Sequence, residues 1–121
     1  MPGWMRVAGK LKLNHLLPTR SFKFTERIDN KRLGITTAEE IEMVRSYRQA
    51  ADRKSLEWGI NEILNWKNSW IPENIIHIHG ENDKVFPVRN IRGAHVVKGA
   101  THMMIYNRAE DVSYYLNRIL I

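Results

Sequence analysis

Only two stretches of this chain read as β-strand, IIHIH (75–79) and AHVVK (94–98), and that scarcity limits what it can build. Both are short apolar runs of the kind found inside a sheet. Each ends in glycine and a polar cluster: Gly80 with Glu81, Asn82, Asp83 and Lys84 after the first, Gly99 with Thr101 and His102 after the second. A core strand needs no such ending. Between them VFPVRNI (85–91) reads as a turn around Pro87 or a short helical turn. A helix is expected from about Arg108 to Leu120, with Asn107 as its cap and Val112, Tyr115, Leu116 and Ile119 as its buried stripe. Strand, turn, strand, loop and helix in that order imply two parallel neighbours in one sheet, so the class expected of residues 71–121 is α/β.

Residues 1–70 read as helical. Leu11, Leu13, Leu16 and Leu17 fit a short helix or an extended segment stopped by Pro18. From Thr19 to about Leu33, Phe22, Phe24, Ile28 and Leu33 give a ragged apolar stripe closed by Gly34. Thr37 followed three residues later by Glu40 is a capping-box pattern, and Ile41, Val44, Tyr47 and Ala51 follow at helical spacing. A further helix is predicted from about Arg53 to Lys67, with Leu56, Ile60, Ile63 and Leu64 on one face. Trp58 and Trp66 flank that stripe, and Trp70 and Pro72 close the region, so these tryptophans are expected to pack.

At 121 residues and 43% hydrophobic content the chain could bury one core. It has no cysteine, which excludes disulfides, thiolate catalysis and finger-type zinc sites, and fits a reducing compartment. No run approaches the about 20 apolar residues that span a bilayer, so a soluble, cytoplasmic protein without membrane contact is expected. The formal charge of +6 is placed unevenly: residues 1–32 hold eight Lys or Arg against Glu26 and Asp29, and the other 89 residues hold eleven of each sign. With four tryptophans in the chain, that basic end permits a small binding module for nucleic acid or an acidic partner. No nucleic-acid fold signature accompanies it, and a solvated basic face explains the charge as well.

Asp83 and His102 carry the chemical interest. In open parallel sheets ligands gather beyond the carboxyl ends of strands, and both residues follow strand ends. If the strands are neighbours, the two side chains share an edge. A carboxylate accepting the Nδ1 proton of an imidazole fixes the tautomer and leaves Nε2 as a general base. Spacing alone equally allows Asp83 to cap a turn and His102 to cap the final helical region.

IIHIHGENDKVFP, then AHVVKGATHMMI, then an amphipathic helix resembles the last third of the α/β-hydrolase family. There the triad acid follows a strand in a hydrophobic-HG-x-x-D-x-x-x-P context, and the histidine follows the next strand in a glycine-containing turn. The resemblance implies that Asp83 is the acid and His102 the base. It covers residues 71–121 well and makes 1–70 a helical cap, or lid, over the site of a partial α/β-hydrolase. The 19-residue interval between acid and histidine is short for the family, so the intervening turn must be compact.

The nucleophile is missing. In the family it sits upstream in a G-x-S-x-G elbow, and none of the five serines (21, 46, 55, 69, 113) has glycines at those positions. The chain thus looks like the carboxyl end of a serine hydrolase of esters or related carbonyls, whose amino-terminal portion lies upstream in a longer frame or on a separate polypeptide. No turnover is expected from these residues alone. Two strands with uncovered edges should leave the chain poorly stable or self-associating. Partners implied are the missing portion and, in the complete enzyme, a small-molecule substrate. No cofactor is expected. His77, His79, His95 and His102 lie close in sequence, and three histidines can hold zinc, but His79 is explained by its turn context, and no metal is expected either.

Overall fold

The computed structural model describes residues 3–13 and 22–120. They form two compact units, one of residues 3–13, 22–28 and 36–70, the other of residues 29–35 and 71–120. The expected Leu16, Leu17 and Pro18 features lie outside the described residues.

The first unit is helical: α1 (Gly3–Lys10), the beginning of α2 (Phe22–Leu33), α3 (Ala38–Ala50) and α4 (Arg53–Leu64). Helix α1 meets α4 at Gly9, where a Cβ would stand 2.6 Å from the Leu64 carbonyl oxygen. Only a residue without a side chain admits that approach. Helix α3 begins in the expected capping box. The Thr37 hydroxyl accepts from the Glu40 amide at 3.2 Å, and the Glu40 carboxylate accepts from the amides of Thr37 and Thr36 at 2.8 and 2.7 Å. Asp52 caps α4 by accepting from the amide and hydroxyl of Ser55, and these two bonds hold its carboxyl below the usual aspartate range.

The expected apolar stripes are only partly covered. Met5 and Val44 are buried, but Ile28, Tyr47, Ile60 and Ile63 are exposed, and Trp4, Trp58, Trp66 and Trp70 each show more than half their surface. The expectation that the tryptophans pack is therefore corrected. Helical spacing aligns apolar groups on one face but supplies nothing to cover it. Helix α4 also stops at Leu64, short of Lys67, because the Asn65 side chain turns back to the Asn61 carbonyl oxygen at 2.9 Å and so competes with the next helical turn.

The second unit is mixed α/β. It contains the end of α2, where Gly34 takes φ +80° and the amides of Gly34 and Ile35 both donate to the Asn30 carbonyl at 2.9 Å. That is a glycine C-terminal cap, and it closes α2 where the sequence places Gly34. Strand β1 (His77–Gly80) runs parallel to β2 (Ala94–Val97), with His77 opposite Ala94 and Gly80 opposite Val97. The crossover contains a 3-10 turn at Val88–Asn90, which is as compact as a parallel connection of about a dozen residues allows. Val97 and Ala100 are almost wholly buried, at 2% and 1% exposure, and mark the centre of this unit's core.

The expected C-terminal helix is present as α6 (Ala109–Leu120); a separate short helix, α5 (Met104–Asn107), precedes it, so Asn107 ends α5 and does not cap α6. Arg108 forms the junction: its carbonyl accepts from the Val112 amide, and its guanidinium pairs with Asp111. Val112, Tyr115 and Ile119 are half-buried, whereas Leu116 at the margin of the stripe is exposed.

The sheet edges are unequal. The Val97 carbonyl accepts from Glu81, so the Val96 carbonyl points to the opposite edge. The Tyr115 hydroxyl covers it at 3.4 Å. By the same alternation Ile76 and Ile78 face the outer edge of β1, where no hydrogen bond meets their backbone among the described residues. Among the described residues no helix is long and apolar enough to cross a membrane.

Candidate functional site

Two loops meet beyond the carboxyl ends of β1 and β2. Gly80 makes the meeting possible: a Cβ there would lie 2.6 Å from the Ala100 carbonyl oxygen and 2.7 Å from that of Thr101. The loops are then stitched together. Asn82 donates its amide to the Ala100 carbonyl at 2.8 Å, and the Glu81 carboxylate accepts from the Gly99 amide at 2.8 Å. Gly99 itself has φ +72°, a turn that other residues enter only under strain.

A third segment holds the second loop from behind. The Met103 amide donates to the Leu33 carbonyl at 3.3 Å, and Thr101 lies against Gly34 so closely that a Cβ on the glycine would be 2.3 Å from the threonine Cβ. His102 is thus fixed by residues on both sides of it.

This framework brings Asp83 and His102 into contact, with Asp83 Oδ2 2.9 Å from His102 Nδ1. The carboxylate is buried, its side chain 4% exposed, and the imidazole is 32% exposed. The other oxygen, Oδ1, accepts from the amides of Val85 and Phe86 at 2.8 Å each. The two sequence readings of Asp83 therefore coexist: Oδ1 caps the turn that follows, and Oδ2 meets the histidine. His102, by contrast, caps no helix, since α5 is preceded by Met103.

The chemistry follows from donors and acceptors. A carboxylate accepts only, so Nδ1 of His102 carries the proton it donates, and in the neutral ring Nε2 holds a lone pair on the opposite side. The Phe86 ring packs beside the imidazole at a centroid distance of 5.7 Å. An imidazole oriented in this way can take a proton at Nε2 while the carboxylate stabilises the resulting cation.

His79 was offered by the sequence only as part of an HG turn and as one of four histidines weighed for zinc. It is buried, and its Nε2 donates to the Phe86 carbonyl at 2.7 Å while lying 3.5 Å from Asp83 Oδ2. Its place on the same strand face as His77 was readable from alternation, and their rings do meet edge to face at 5.3 Å. What the sequence could not reveal is the loop that returns to it. His95 is exposed on β2. Among the described residues no group of three or more His, Cys, Asp or Glu is arranged to hold a metal ion.

The serines have local roles. The Ser46 hydroxyl donates to the Met43 carbonyl, and that of Ser55 to the Asp52 carboxylate. Ser69 and Ser113 are exposed, and Ser21 lies outside the described residues. A cavity of about 410 Å³ runs along the acid loop, lined by Glu81 to Lys84 and Pro87 to Arg89. His102 is not in its wall, so it is not where a base at Nε2 would act.

Comparison with protein-family models, with curated proteins and with solved structures gives no match. The meaning of the site rests on its geometry.

Proposed function

We propose that residues 71–121 are the acid- and histidine-bearing part of an α/β-hydrolase core, and that residues 1–70 belong to its helical cap. The buried carboxylate of Asp83 on His102 Nδ1 at 2.9 Å carries the reading. Ordinary turns have no need to bury an acid and aim it at an imidazole beyond two parallel strands.

In this reading the nucleophile is a serine supplied by residues other than these. His102 Nε2 takes the hydroxyl proton as the serine oxygen attacks an ester-like carbonyl carbon. The same proton then passes from Nε2 to the departing alkoxide, and a water molecule repeats the cycle to release the acid. Throughout, Asp83 holds the ring and balances its positive charge. Oxyanion donors must come with the serine. The outer edge of β1 at Ile76 and Ile78, which meets no backbone hydrogen bond among the described residues, supports the reading, because parallel sheets are ordinarily continued and covered.

The test begins with the coding DNA upstream, where an in-frame G-x-S-x-G after a β-type run is expected. The protein encoded by that longer frame, treated with a fluorophosphonate, should be labelled on the elbow serine. His102→Ala should reduce labelling at least about 10³-fold, as loss of a triad member does. No such serine in the frame or its neighbours, or labelling indifferent to His102→Ala, would overturn the proposal.

A further inference from the structure

The acid of the pair is itself held by a device the dyad does not explain. Phe86 is engaged at three points. Its amide donates to Asp83 Oδ1 at 2.8 Å, its carbonyl accepts from His79 Nε2 at 2.7 Å, and its ring lies 5.7 Å from that of His102. A carbonyl oxygen only accepts, so the His79 nitrogen there carries a proton.

We infer that His79 is a positioning residue for the dyad: from its place in β1, its Nε2–H clamps the Phe86 carbonyl and, through the backbone of that residue, turns Asp83 Oδ2 toward His102. The chain of contacts is continuous. His79 lies in the strand paired with β2 through Val96, so its ring starts from backbone held in the sheet. Its side chain is 10% exposed, which removes competing water from the bond to Phe86. With Phe86 anchored at its carbonyl, its amide, across the same Cα, and that of Val85 meet Oδ1 together, and two donors on one oxygen set the rotation of the carboxylate. The remaining oxygen then faces His102. His79 Nε2 stands 3.5 Å from the same Oδ2, beyond a normal hydrogen bond, so it steers the acid chiefly through Phe86 and leaves the oxygen to His102.

This role rests on the reading of Asp83 and His102 as a working pair, but its test does not need the serine. In the ¹⁵N-labelled chain, the Nδ1 proton of His102 is observed by NMR, assigned by its loss in His102→Ala, and its exchange with water is measured. His79→Leu is expected to speed that exchange about tenfold, the upper end of what one ordinary hydrogen bond carries. His79→Gln, which offers an amide donor in place of Nε2–H, is expected to restore it to within about twofold of the wild-type rate, a small fraction of that bond's worth.

Wild-type exchange in a folded His79→Leu would overturn the inference, as would exchange in His79→Gln as fast as in His79→Leu. Should His79→Leu not fold, His79→Gln is compared with Asp83→Asn. Near-wild-type exchange then supports the clamp, and exchange matching Asp83→Asn overturns it. Labelling of the longer protein indifferent to His102→Ala would remove the hydrolase reading while leaving the clamp measurement valid.

Discussion

The helical unit and the α/β unit use their buried polar groups in opposite ways. In the first, the buried Glu40 serves its own helix, closing the amides at the start of α3. In the second, the buried His79 and Asp83 act across loops, on Phe86 and His102. The helical unit is locally well made but leaves its tryptophans outside, whereas the α/β unit is organised around contacts between residues distant in sequence. Local capping thus builds helices, and long-range polar contacts build a site.

Substitutions can break that contrast, beginning with the acid. Asp83→Ala leaves the amides of Val85 and Phe86 and the Nδ1 proton of His102 without their acceptor. It should destabilise the α/β unit by about 3 kcal/mol or more, read from urea unfolding followed by hydrogen exchange in residues 77–103. An effect below about 1 kcal/mol, the worth of an ordinary hydrogen bond, would show that the acid is not integral to that unit. Gly80→Ala comes next. Its Cβ would press on two backbone oxygens, which cannot move aside as a flexible side chain could, and a loss of about 2–3 kcal/mol is expected in the same assay.

Glu40→Ala tests the other side. Two amides at the start of α3 lose their shared acceptor, so about 1–2 kcal/mol should be lost, with the increased exchange confined to Thr36, Thr37 and the first turn of α3. Spread of that effect into residues 77–103 would abolish the distinction between local and long-range polar contacts. Trp58→Ser should change stability by no more than about 0.5 kcal/mol, as for other exposed sites; a larger loss in denaturant titration would mean that the tryptophan is covered.

The smallest effect is one of pH. Asp52 has its carboxyl held below the usual aspartate range by the Ser55 amide and then by the Ser55 hydroxyl. Because the folded value is the lower one, the cap's contribution is present above the unfolded value and fades as pH falls through the folded one. An NMR titration should find Asp52 the more acidic, and Ser55→Ala should move it partway back, since the amide bond remains.

Much of the site was legible in the sequence because its parts sit at ends of strands. Gly80, Asp83, Gly99 and His102 are marked by an abrupt change from apolar to turn-forming residues, and parallel pairing brings those ends together. The capping box was legible because every partner lies within four residues. The stripes misled where the pattern named Ile28, Tyr47, Ile60, Ile63 and Leu116 but could not supply what covers them. The short helix α5, closed where the Arg108 amide donates to the Met104 carbonyl, is a single turn and too short to show a periodicity. His79 escaped because its partner, Phe86, returns only through the shape of the acid loop. The contact of Leu33 and Gly34 with Thr101 and Met103 has no sequence signature at all.

That last contact bears on the order of assembly. Met103 reaches back to Leu33, and everything from Thr36 to Trp70 is spelled out between the two parts of the α/β unit. A chain emerging from the ribosome can wind α3 and α4 early, but the histidine loop must wait for a segment made long before it. Closing so wide a loop costs only about 0.6 kcal/mol more than closing one half as long, so the consequence is delay more than instability. The pairing of Asp83 with His102 should be among the last events of folding, and a nascent chain stopped before residue 102 would hold the acid without its base.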